Sequence, residues 1–186
     1  MAINPQQTYM TLEEYFELCR SSPDTRYEYY DGQVTMLAGG SLNHATIALN
    51  IASKLKQILP APCRPFTSDA ALKLSAKRCV LPDVTVTCDK RNLTSHDYIQ
   101  YPSIIFEVLS PSTEAIDRGR KFNDYQRCPT LQEYVLVTPE EPLVEIFKRE
   151  KEPMWMYRAY RENADILLPS LGISLSLKDI YQDVIF

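Results

Sequence analysis

Hydrophobic residues recur at helical spacing in two segments of the N-terminal third. Thr11 and Glu14 form a capping-box pattern, which predicts a helix that begins there and extends to about Cys19. Ser41 precedes a second periodic segment, which ends before Pro60. Its apolar residues repeat every three or four positions, at Ala45, Ala48, Ala52, Leu55 and Leu59. Both segments are therefore predicted to be amphipathic helices.

Shorter apolar runs bounded by turn residues predict β-strands. Asp31-Gly32 separates Tyr27–Tyr30 from Val34–Leu37, which indicates a β-hairpin. Valines that alternate with polar residues predict a strand at Val84–Val86 with one apolar face. Further strands are predicted at Arg64–Phe66, Ala70–Leu74, Glu133–Val137, Val144–Phe147 and Trp155–Tyr160, and a short strand with a helical turn within Ile173–Phe186.

The segment Ser103–Leu109 is apolar at nearly every position. Strands of this kind are typically buried on both faces, so we expect it at the centre of a sheet. Ser110-Pro111-Ser112 breaks the strand and is expected to cap a helix that extends to about Tyr125. Because helices and strands do not alternate regularly, the chain is predicted to adopt an α/β or α+β fold with a mixed sheet.

Length and composition predict one globular domain over residues 1–186, with residues 1–10 as a loose arm. A chain of 186 residues buries roughly 70% of its unfolded surface, so it needs no disulfide or metal for stability. The net charge of −4 argues against binding nucleic acid through overall positive charge, although a local basic strip or a metal ion is compatible with it. The five glycines form neither GxGxxG nor GxxxxGK[ST], which disfavours dinucleotide and P-loop nucleotide binding.

The five cysteines are spread through the chain, at Cys19, Cys63, Cys79, Cys88 and Cys128. Their odd number and wide spacing match no CxxC or zinc-binding pattern, so we expect unpaired thiols, which suit a reducing cytoplasm. The first residues lack the basic and apolar parts of a signal peptide. No apolar run approaches the roughly 18 residues of a membrane span. We therefore expect a cytoplasmic protein that does not enter a membrane.

Two carboxylates are candidates for a metal site. Glu107 lies inside the most apolar strand, and a carboxylate there is costly to bury unless it is paired or binds a metal. The alternative is a strand end at which Glu107 reaches solvent or an arginine. Asp83 follows Pro82, and it would meet Glu107 at one edge of the sheet if the two strands are neighbours; a divalent cation would then relieve their repulsion. The alternative for Asp83 is a Pro-Asp turn.

Glu28 and Lys121 are further candidates. Glu28 lies in the predicted hairpin, on the face opposite Tyr27 and Tyr29, and its alternative role is a solvent-facing strand residue. Lys121 lies on the helix that follows the Glu107 strand, where it could orient a water or neutralise phosphate charge. The alternative for Lys121 is a surface ion pair with Asp117, four residues earlier.

A modest basic cluster on the same helix is the best candidate for phosphate contacts in this acidic chain. Its members are Arg118, Arg120, Lys121 and Arg127, and a solvated helix face is the alternative. His44, near the start of the second helix, is a candidate phosphate contact, metal ligand or surface residue.

Several motifs in a fixed order resemble a large bacterial family. They are TLEEYFEL, RYEYYDGQV, SLNHATI, PDVTV and FEVLSPST, followed by Lys-x-x-x-Tyr, and they extend from about Thr11 to Val137. The family is described as restriction endonucleases and belongs to the PD-(D/E)XK nuclease superfamily. The resemblance implies a restriction-endonuclease-like core in which a mixed central β-sheet is flanked by helices.

The resemblance also implies roles for individual residues. Asp83 and Glu107 match the two superfamily acids, and Glu28 matches an upstream glutamate of the family. The usual lysine position, two residues after the second acid, is Leu109 here. The resemblance implies that Lys121 takes the lysine's role.

These observations lead to a functional hypothesis and a rival. The hypothesis is an endonuclease that hydrolyses phosphodiester bonds in DNA and depends on Mg²⁺ (or Mn²⁺), held by Asp83 and Glu107 with Glu28. Lys121 would position the attacking water or stabilise the transition state, and Tyr125 would support Lys121 and count with His44, Arg118 and Arg120 among the substrate contacts. The rival is a catalytically silent nuclease-like binding or interaction module.

The C-terminal part predicts a homodimer. It mixes apolar and aromatic residues of a kind found at interfaces, at Trp155, Tyr157, Tyr160, Ile185 and Phe186. A two-fold pair of active sites would also suit cleavage of both strands of a duplex.

Overall fold

A computed structural model describes residues 9–93, 97–162 and 164–186, so most of the predicted loose arm lies outside the described residues. The helices are α1 (Leu12–Ser21), α2 (Leu42–Ile58), α3 (Glu114–Ile116), α4 (Phe122–Gln126) and α5 (Leu177–Ile180). A π-helical turn at Asp117–Lys121 joins α3 to α4, and a 3-10 turn lies at Lys90–Leu93.

The strands follow the predicted positions with two additions. They are β1 (Tyr27–Tyr30), β2 (Gln33–Met36), β3 (Arg64–Thr67), β4 (Leu72–Ser75), β5 (Arg78–Val80), β6 (Val84–Thr87), β7 (Ile104–Val108), β8 (Glu133–Thr138), β9 (Leu143–Arg149), β10 (Trp155–Arg161), β11 (Asp165–Leu168) and β12 (Ile173–Ser176). The sequence pattern missed β5 and β11, which are only three and four residues long and carry little periodicity.

The two predicted amphipathic helices are confirmed, and each begins at the expected cap. Thr11 and Glu14 form a reciprocal capping box at the start of α1. The Ser41 hydroxyl accepts a hydrogen bond from the His44 backbone N–H at the start of α2. The fully buried face of α2 consists of Ile47, Ile51 and Leu55, while the alanines beside them are partly buried.

A six-stranded mixed sheet forms the centre of the fold, in the order β10-β9-β8-β7-β6-β3. Only β7 and β8 run parallel to each other, because the helical segment 114–126 carries the chain from one to the next. β8, β9 and β10, at three of the predicted strand positions, form an antiparallel meander. The prediction of a mixed central sheet flanked by helices is therefore confirmed.

Each face of this sheet is covered by a separate layer. On one face α2 packs against apolar residues such as Val84, Phe106 and Val135. The other face carries Ile105, Leu136 and Glu107, and it is covered by the helical segment 114–126 and by a second sheet, in the order β2-β1-β5-β4. The prediction that β7 is buried on both faces is confirmed. Glu107 consequently lies between two layers, away from bulk solvent.

The β1–β2 hairpin directs Glu28 into this space between the layers. Asp31 and Gly32 make the predicted turn with φ angles of 47° and 87°, a conformation that suits glycine. Tyr27 and Tyr29 pack against α1, so the alternate residues Glu28 and Tyr30 face the six-stranded sheet. A solvent-facing position for Glu28 is therefore wrong.

The predicted apolar face of β6, formed by Val84 and Val86, is confirmed, and its polar face is buried as well, where the Thr87 hydroxyl donates a hydrogen bond to the Tyr101 carbonyl. One local prediction needs correction. The helix after Ser110-Pro111-Ser112 begins at Glu114, its N-cap is Thr113, and no side chain caps it. The serine hydroxyl of Ser110 contacts Thr113 instead, so it does not reach the helix backbone.

The expectation of unpaired thiols is wrong for two cysteines. Cys63 and Cys88 form a disulfide, because Arg64 pairs with Thr87 in the antiparallel β3–β6 ladder and the two cysteines are the next opposing pair. Cys19, Cys79 and Cys128 are free. Local spacing could not reveal a pair that is formed by strand register. Among the described residues, no helix has the length and apolar character that a membrane crossing requires.

Candidate functional site

Glu107 lies at the end of β7 with only 3% of its surface exposed. Its Oε1 atom accepts hydrogen bonds from the Tyr125 hydroxyl at 2.7 Å and from Lys121 Nζ at 3.1 Å. Both donors come from the helical segment that follows β7 and crosses the same face of the sheet. The alternative of a solvent-exposed strand end is therefore wrong for Glu107.

Lys121 stands among three buried carboxylates. Its Nζ lies 3.2 Å from Glu28 Oε1, 3.1 Å from Glu107 Oε1 and 3.2 Å from Asp117 Oδ1. The Asp117 pair was considered as a surface ion pair, but both side chains are at least nine-tenths buried. We call Glu28, Glu107, Asp117 and Lys121 the lysine cluster.

A π-helical turn places Lys121 in this cluster. The turn spans Asp117–Lys121, between α3 and α4, and it buries its first and last residues on the sheet side. Turns of this kind are rare and occur frequently at functional sites, because they rotate side chains away from regular helical positions. Asp117 is the member of the cluster that the sequence analysis missed as a candidate, although its four-residue spacing to Lys121 was the available signal.

The lysine cluster is short of positive charge, with one ammonium for three carboxyl groups. Burial raises the pKa of Glu107, and the nearby acids Asp117, Asp83 and Glu28 raise it further, against the lowering effect of Lys121. Burial also raises the pKa of Asp117. Burial alone would lower the pKa of Lys121, but the carboxylates around it outweigh burial and raise that pKa well above its usual value. The cluster therefore favours an additional proton or cation.

Asp83 lies directly beside this cluster. Val84 pairs with Phe106 in the antiparallel β6–β7 ladder, so Asp83 and Glu107 are the next opposing positions. The expected pairing of the two acid-bearing strands is thereby confirmed. Asp83 Oδ2 accepts a hydrogen bond of 2.8 Å from the Val108 backbone N–H, which anchors the carboxylate at the end of β7.

His44 contacts Asp83 from the other side of the sheet. Its Nε2 lies 3.3 Å from Asp83 Oδ2, and the hydrogen bond to Asp83 raises the pKa of His44. A Cβ atom at Gly40 would lie 2.8 Å from the His44 ring, whereas a Cβ atom at Gly39 would have open space around it. Gly40 therefore leaves room for the ring position from which His44 reaches Asp83.

Glu28 connects the second sheet to the lysine cluster. Besides its contact with Lys121, Glu28 Oε1 accepts a 3.1 Å hydrogen bond from the Leu81 backbone N–H. Leu81 lies in the short connection between β5 and β6, two residues before Asp83. Glu28 thus holds both the lysine and the segment that presents Asp83.

The two arginines predicted to bind substrate lie in different surroundings. Arg118 pairs with Glu114 at 2.8 Å and with Glu145 on β9, so the structure does not bring it to the lysine cluster. The guanidinium of Arg120 is exposed and stacks on the Tyr30 ring, with its Cζ 4.0 Å from the ring centroid. Tyr125, also predicted as a substrate contact, is fully buried, and its hydroxyl donates its hydrogen bond to Glu107.

The donor chemistry fits a hard divalent cation. Within the described ranges, no three His, Cys, Asp or Glu side chains are grouped as in a closed protein metal cage. Mg²⁺ is commonly held by one or two carboxylates together with waters and substrate phosphates, and Asp83 and Glu107 provide two carboxylates at opposing strand positions. Asp117 Oδ1 is buried and, although close to Lys121, has no well-formed hydrogen bond, which is consistent with the shortage of positive charge.

Two relatives match most of this chain. A relative from Synechocystis sp., the uncharacterized protein slr1290, is 35% identical over 163 residues, which cover 87% of this chain and 86% of that protein. A second relative from the same organism, sll1609, is 29% identical over 162 residues, covering 84% and 91% of the two chains.

A solved structure shares the fold. It is a nuclease of DUF820 from Anabaena variabilis, itself described as putative, and it superimposes with a TM-score of 0.74 at 19% identity. The match covers 95% of this chain and 99% of that one. The sequence resemblance to bacterial restriction endonucleases is confirmed by a family model with the description "Uma2: Putative restriction endonuclease", which matches residues 12–178. Because this match spans most of the chain, the protein belongs to the Uma2 family.

Proposed function

We propose that this protein is a metal-dependent endonuclease that hydrolyses phosphodiester bonds in DNA. One observation carries the proposal: Lys121 contacts Glu107 within a buried cluster of acids, directly beside Asp83 on the neighbouring strand. Membership of a family described as restriction endonucleases supports the same reaction class.

Asp83 and Glu107 would hold Mg²⁺ or Mn²⁺. The bound ion would lower the pKa of a water and polarise the scissile phosphate. The Val108 backbone N–H and His44 fix the orientation of Asp83, and Tyr125 fixes that of Glu107. Both ligands are thus held before substrate arrives, which lowers the cost of binding.

Lys121 is the protein side chain that we propose acts on the reacting groups directly, alongside the metal ion. Its ammonium would donate a hydrogen bond to the attacking water or to a non-bridging phosphate oxygen, where negative charge develops in the transition state. Glu28 and Asp117 keep Lys121 charged and in place by their contacts of 3.2 Å. Arg120, exposed next to this cluster, would contact a flanking phosphate.

A homodimer would suit cleavage of both strands of a duplex. Of the residues expected at the interface, Tyr157, Ile185 and Phe186 are exposed. Trp155 packs on Phe122, and Tyr160 packs against the apolar core around α2, so these two are less available. Sedimentation at micromolar concentrations tests the dimer, and a monomer there would contradict it.

We propose that the protein is cytoplasmic, because its proposed substrate, DNA, lies in that compartment. The Cys63–Cys88 disulfide is uncommon in that compartment. Thiol alkylation of protein taken directly from cells tests this point, and a fully oxidised pair would argue for a different location.

The test of the proposed function is nicking of supercoiled plasmid by pure protein with Mg²⁺ or Mn²⁺. We expect nicking that EDTA abolishes and that Asp83→Asn, Glu107→Gln and Lys121→Met each remove. Lys56→Gln on the outer surface of α2 is the matched control and should nick like the wild type. No cleavage of plasmid, linear duplex or single strand with either metal would contradict the proposal.

A catalytically silent nuclease-like binding module is the second candidate. It is favoured by the surroundings of Lys121, because the ammonium already lies within 3.2 Å of three protein carboxylates. Isothermal titration with Mg²⁺ separates the two candidates. Saturable binding that Asp83→Asn abolishes supports the enzyme, and its absence supports the silent module.

A further inference from the structure

Tyr30 connects the lysine cluster to a row of basic side chains. It follows Glu28 by two residues on β1, so both side chains lie on the same face of the strand. The guanidinium Cζ atoms of Arg120 and Arg78 lie 4.0 and 5.3 Å from the Tyr30 ring centroid. The buried ring therefore supports two arginines next to Lys121.

The row continues into an open pocket of about 250 Å³ beyond Tyr30. Lys77, Arg78 and Arg127 line it together with Asp31 and Asp124. Lys77 and Arg127 are exposed, whereas Arg78 is held by Asp31 at 2.6 Å and by Asp124 at 3.1 Å. The two aspartates fix Arg78 in position and offset part of the charge, so Lys77, Arg127 and Arg120 carry the remaining positive charge of this surface.

We propose that Lys77, Arg120 and Arg127, here called the basic track, bind phosphates of a nucleic-acid strand that leaves the lysine cluster, while Arg78 stays paired with its two aspartates. The inference rests on the proposed function, since the track is a path for the same substrate. It adds Lys77 and Arg127 to the substrate contacts and gives the direction in which the strand extends, from β1 towards the C-terminal end of α4.

Nucleic acid fits the track better than other anionic partners because of how the arginines are presented. A guanidinium that stacks on an aromatic ring keeps its N–H groups in the plane, where they can bind phosphate oxygens. The arginines already cover the Tyr30 ring, so this surface is suited to backbone contacts and leaves no aromatic face for base stacking. In a chain of net charge −4, a local basic strip is also what brings a phosphate backbone to an acidic site.

The track excludes Arg118, although it lies next to Arg120 in sequence. Arg118 is occupied by Glu114 and Glu145, on the side of the helical segment that faces β9. The fold therefore divides the basic cluster recognised in the sequence. Arg118 and Lys121 pair with carboxylates of the protein, whereas Arg120 and Arg127 remain exposed on the Tyr30 side.

Salt-dependent binding tests the track without any need for cleavage. The double variant Lys77→Gln/Arg127→Gln is compared with the matched control Lys56→Gln/Lys151→Gln, which removes the same charge from exposed positions elsewhere. Anisotropy of a short labelled duplex and of its single strand is measured from about 50 to 200 mM salt, in EDTA and in Ca²⁺. We expect weaker binding by the track variant, with a log–log salt slope reduced by about 2, and a control close to the wild type.

The result that overturns the track is a slope that falls equally in both double variants, or no DNA binding by the wild type in either condition. Thermal melting confirms that each variant is folded. Plasmid nicking with Mg²⁺ is read separately: a wild type that binds through the track but never nicks contradicts the proposed function and leaves the track standing. Nicking by a track variant whose binding is unchanged contradicts the track alone.

Discussion

The ammonium of Lys121 and the carboxylate of Glu107 are 3.1 Å apart, although fourteen residues separate them in the chain. The position two residues after Glu107, where the superfamily usually has its lysine, is Leu109, and it is buried in the core together with Tyr125. A lysine there would place an ammonium in an apolar cluster. The helical segment after β7 crosses the same face and places the Lys121 ammonium where carboxylates pair with it.

Glu107→Gln should distinguish a metal ligand from a structural ion-pair partner. Lys121 keeps Glu28 and Asp117 in the variant, so no unpaired charge is left, and we expect the melting temperature in EDTA to stay the same or rise slightly. Mg²⁺ should raise the melting temperature of the wild type, because it binds the native state, and should not raise that of the variant.

Glu145→Gln is the control for this experiment. Glu145 is a buried carboxylate that pairs with Arg118 and Tyr157, away from the proposed metal site. Its loss should lower the melting temperature equally with EDTA and with Mg²⁺. A Glu107→Gln variant that loses about 3–5 kcal/mol in EDTA, beside a wild type that ignores Mg²⁺, would make Glu107 a scaffold residue.

Lys121→Met should destabilise the protein in a pH-dependent way. The change leaves three buried carboxyl groups without their cation, which costs about 3–5 kcal/mol near pH 8. Burial raises the pKa of Glu107 and Asp117, so above the ordinary carboxyl pKa the native state binds more protons than the unfolded state. The free energy of unfolding therefore falls as the pH rises through the raised pKa values.

Urea unfolding at about pH 5 and about pH 8 checks this prediction. The free energy of unfolding of Lys121→Met should fall below that of the wild type by less at the lower pH. Lys148→Met is the control, since Lys148 makes only a partly exposed pair with Glu150 and should cost less than about 1 kcal/mol at both values. A deficit in Lys121→Met that does not change with pH would contradict the charge balance described for the cluster.

Gly40→Ala should act through His44. The new methyl group would lie 2.8 Å from the imidazole ring, so the ring must move away from Asp83. Loss of such an orienting contact typically reduces metal affinity or activity about 10–100-fold. We expect weaker Mg²⁺ binding in Gly40→Ala and no change in Gly39→Ala, where the methyl group meets open space. In a His44→Ala background, Gly40→Ala should not weaken Mg²⁺ binding further. A full additional loss of Mg²⁺ affinity there would show that Gly40 does not act through His44.

The Cys63–Cys88 disulfide should stabilise the fold by restricting the unfolded chain. The two cysteines are 25 residues apart, and closing a loop of this size contributes about 2–4 kcal/mol. Cys63→Ser/Cys88→Ser should therefore melt at a lower temperature than the wild type, and reductant should lower the wild type to the same value. Cys128→Ser, which removes a free thiol, should melt like the wild type with and without reductant.

Short-range patterns were sufficient for most of the secondary structure. The Thr11 capping box, the Asp31-Gly32 turn and the apolar run of β7 each depend on neighbours within a few residues, so the sequence predicts them directly. β5 escaped prediction because it is short and pairs with β1, which is distant in the chain, whereas β11 forms a local hairpin with β12 but its four residues carry too little periodicity to be recognised.

The sequence alone also determined which residues are candidates for the site, because a charged residue inside the apolar run Ile104–Leu109 is conspicuous by its cost. Only the tertiary structure decided how they are arranged. The β6–β7 register places Asp83 opposite Glu107, and the π-helical turn places Lys121 against Glu28. The separation of Arg118 from Arg120 depends in the same way on which element packs against each side of one helical segment. Register and packing are set by contacts between residues far apart in the chain, so no local pattern records them.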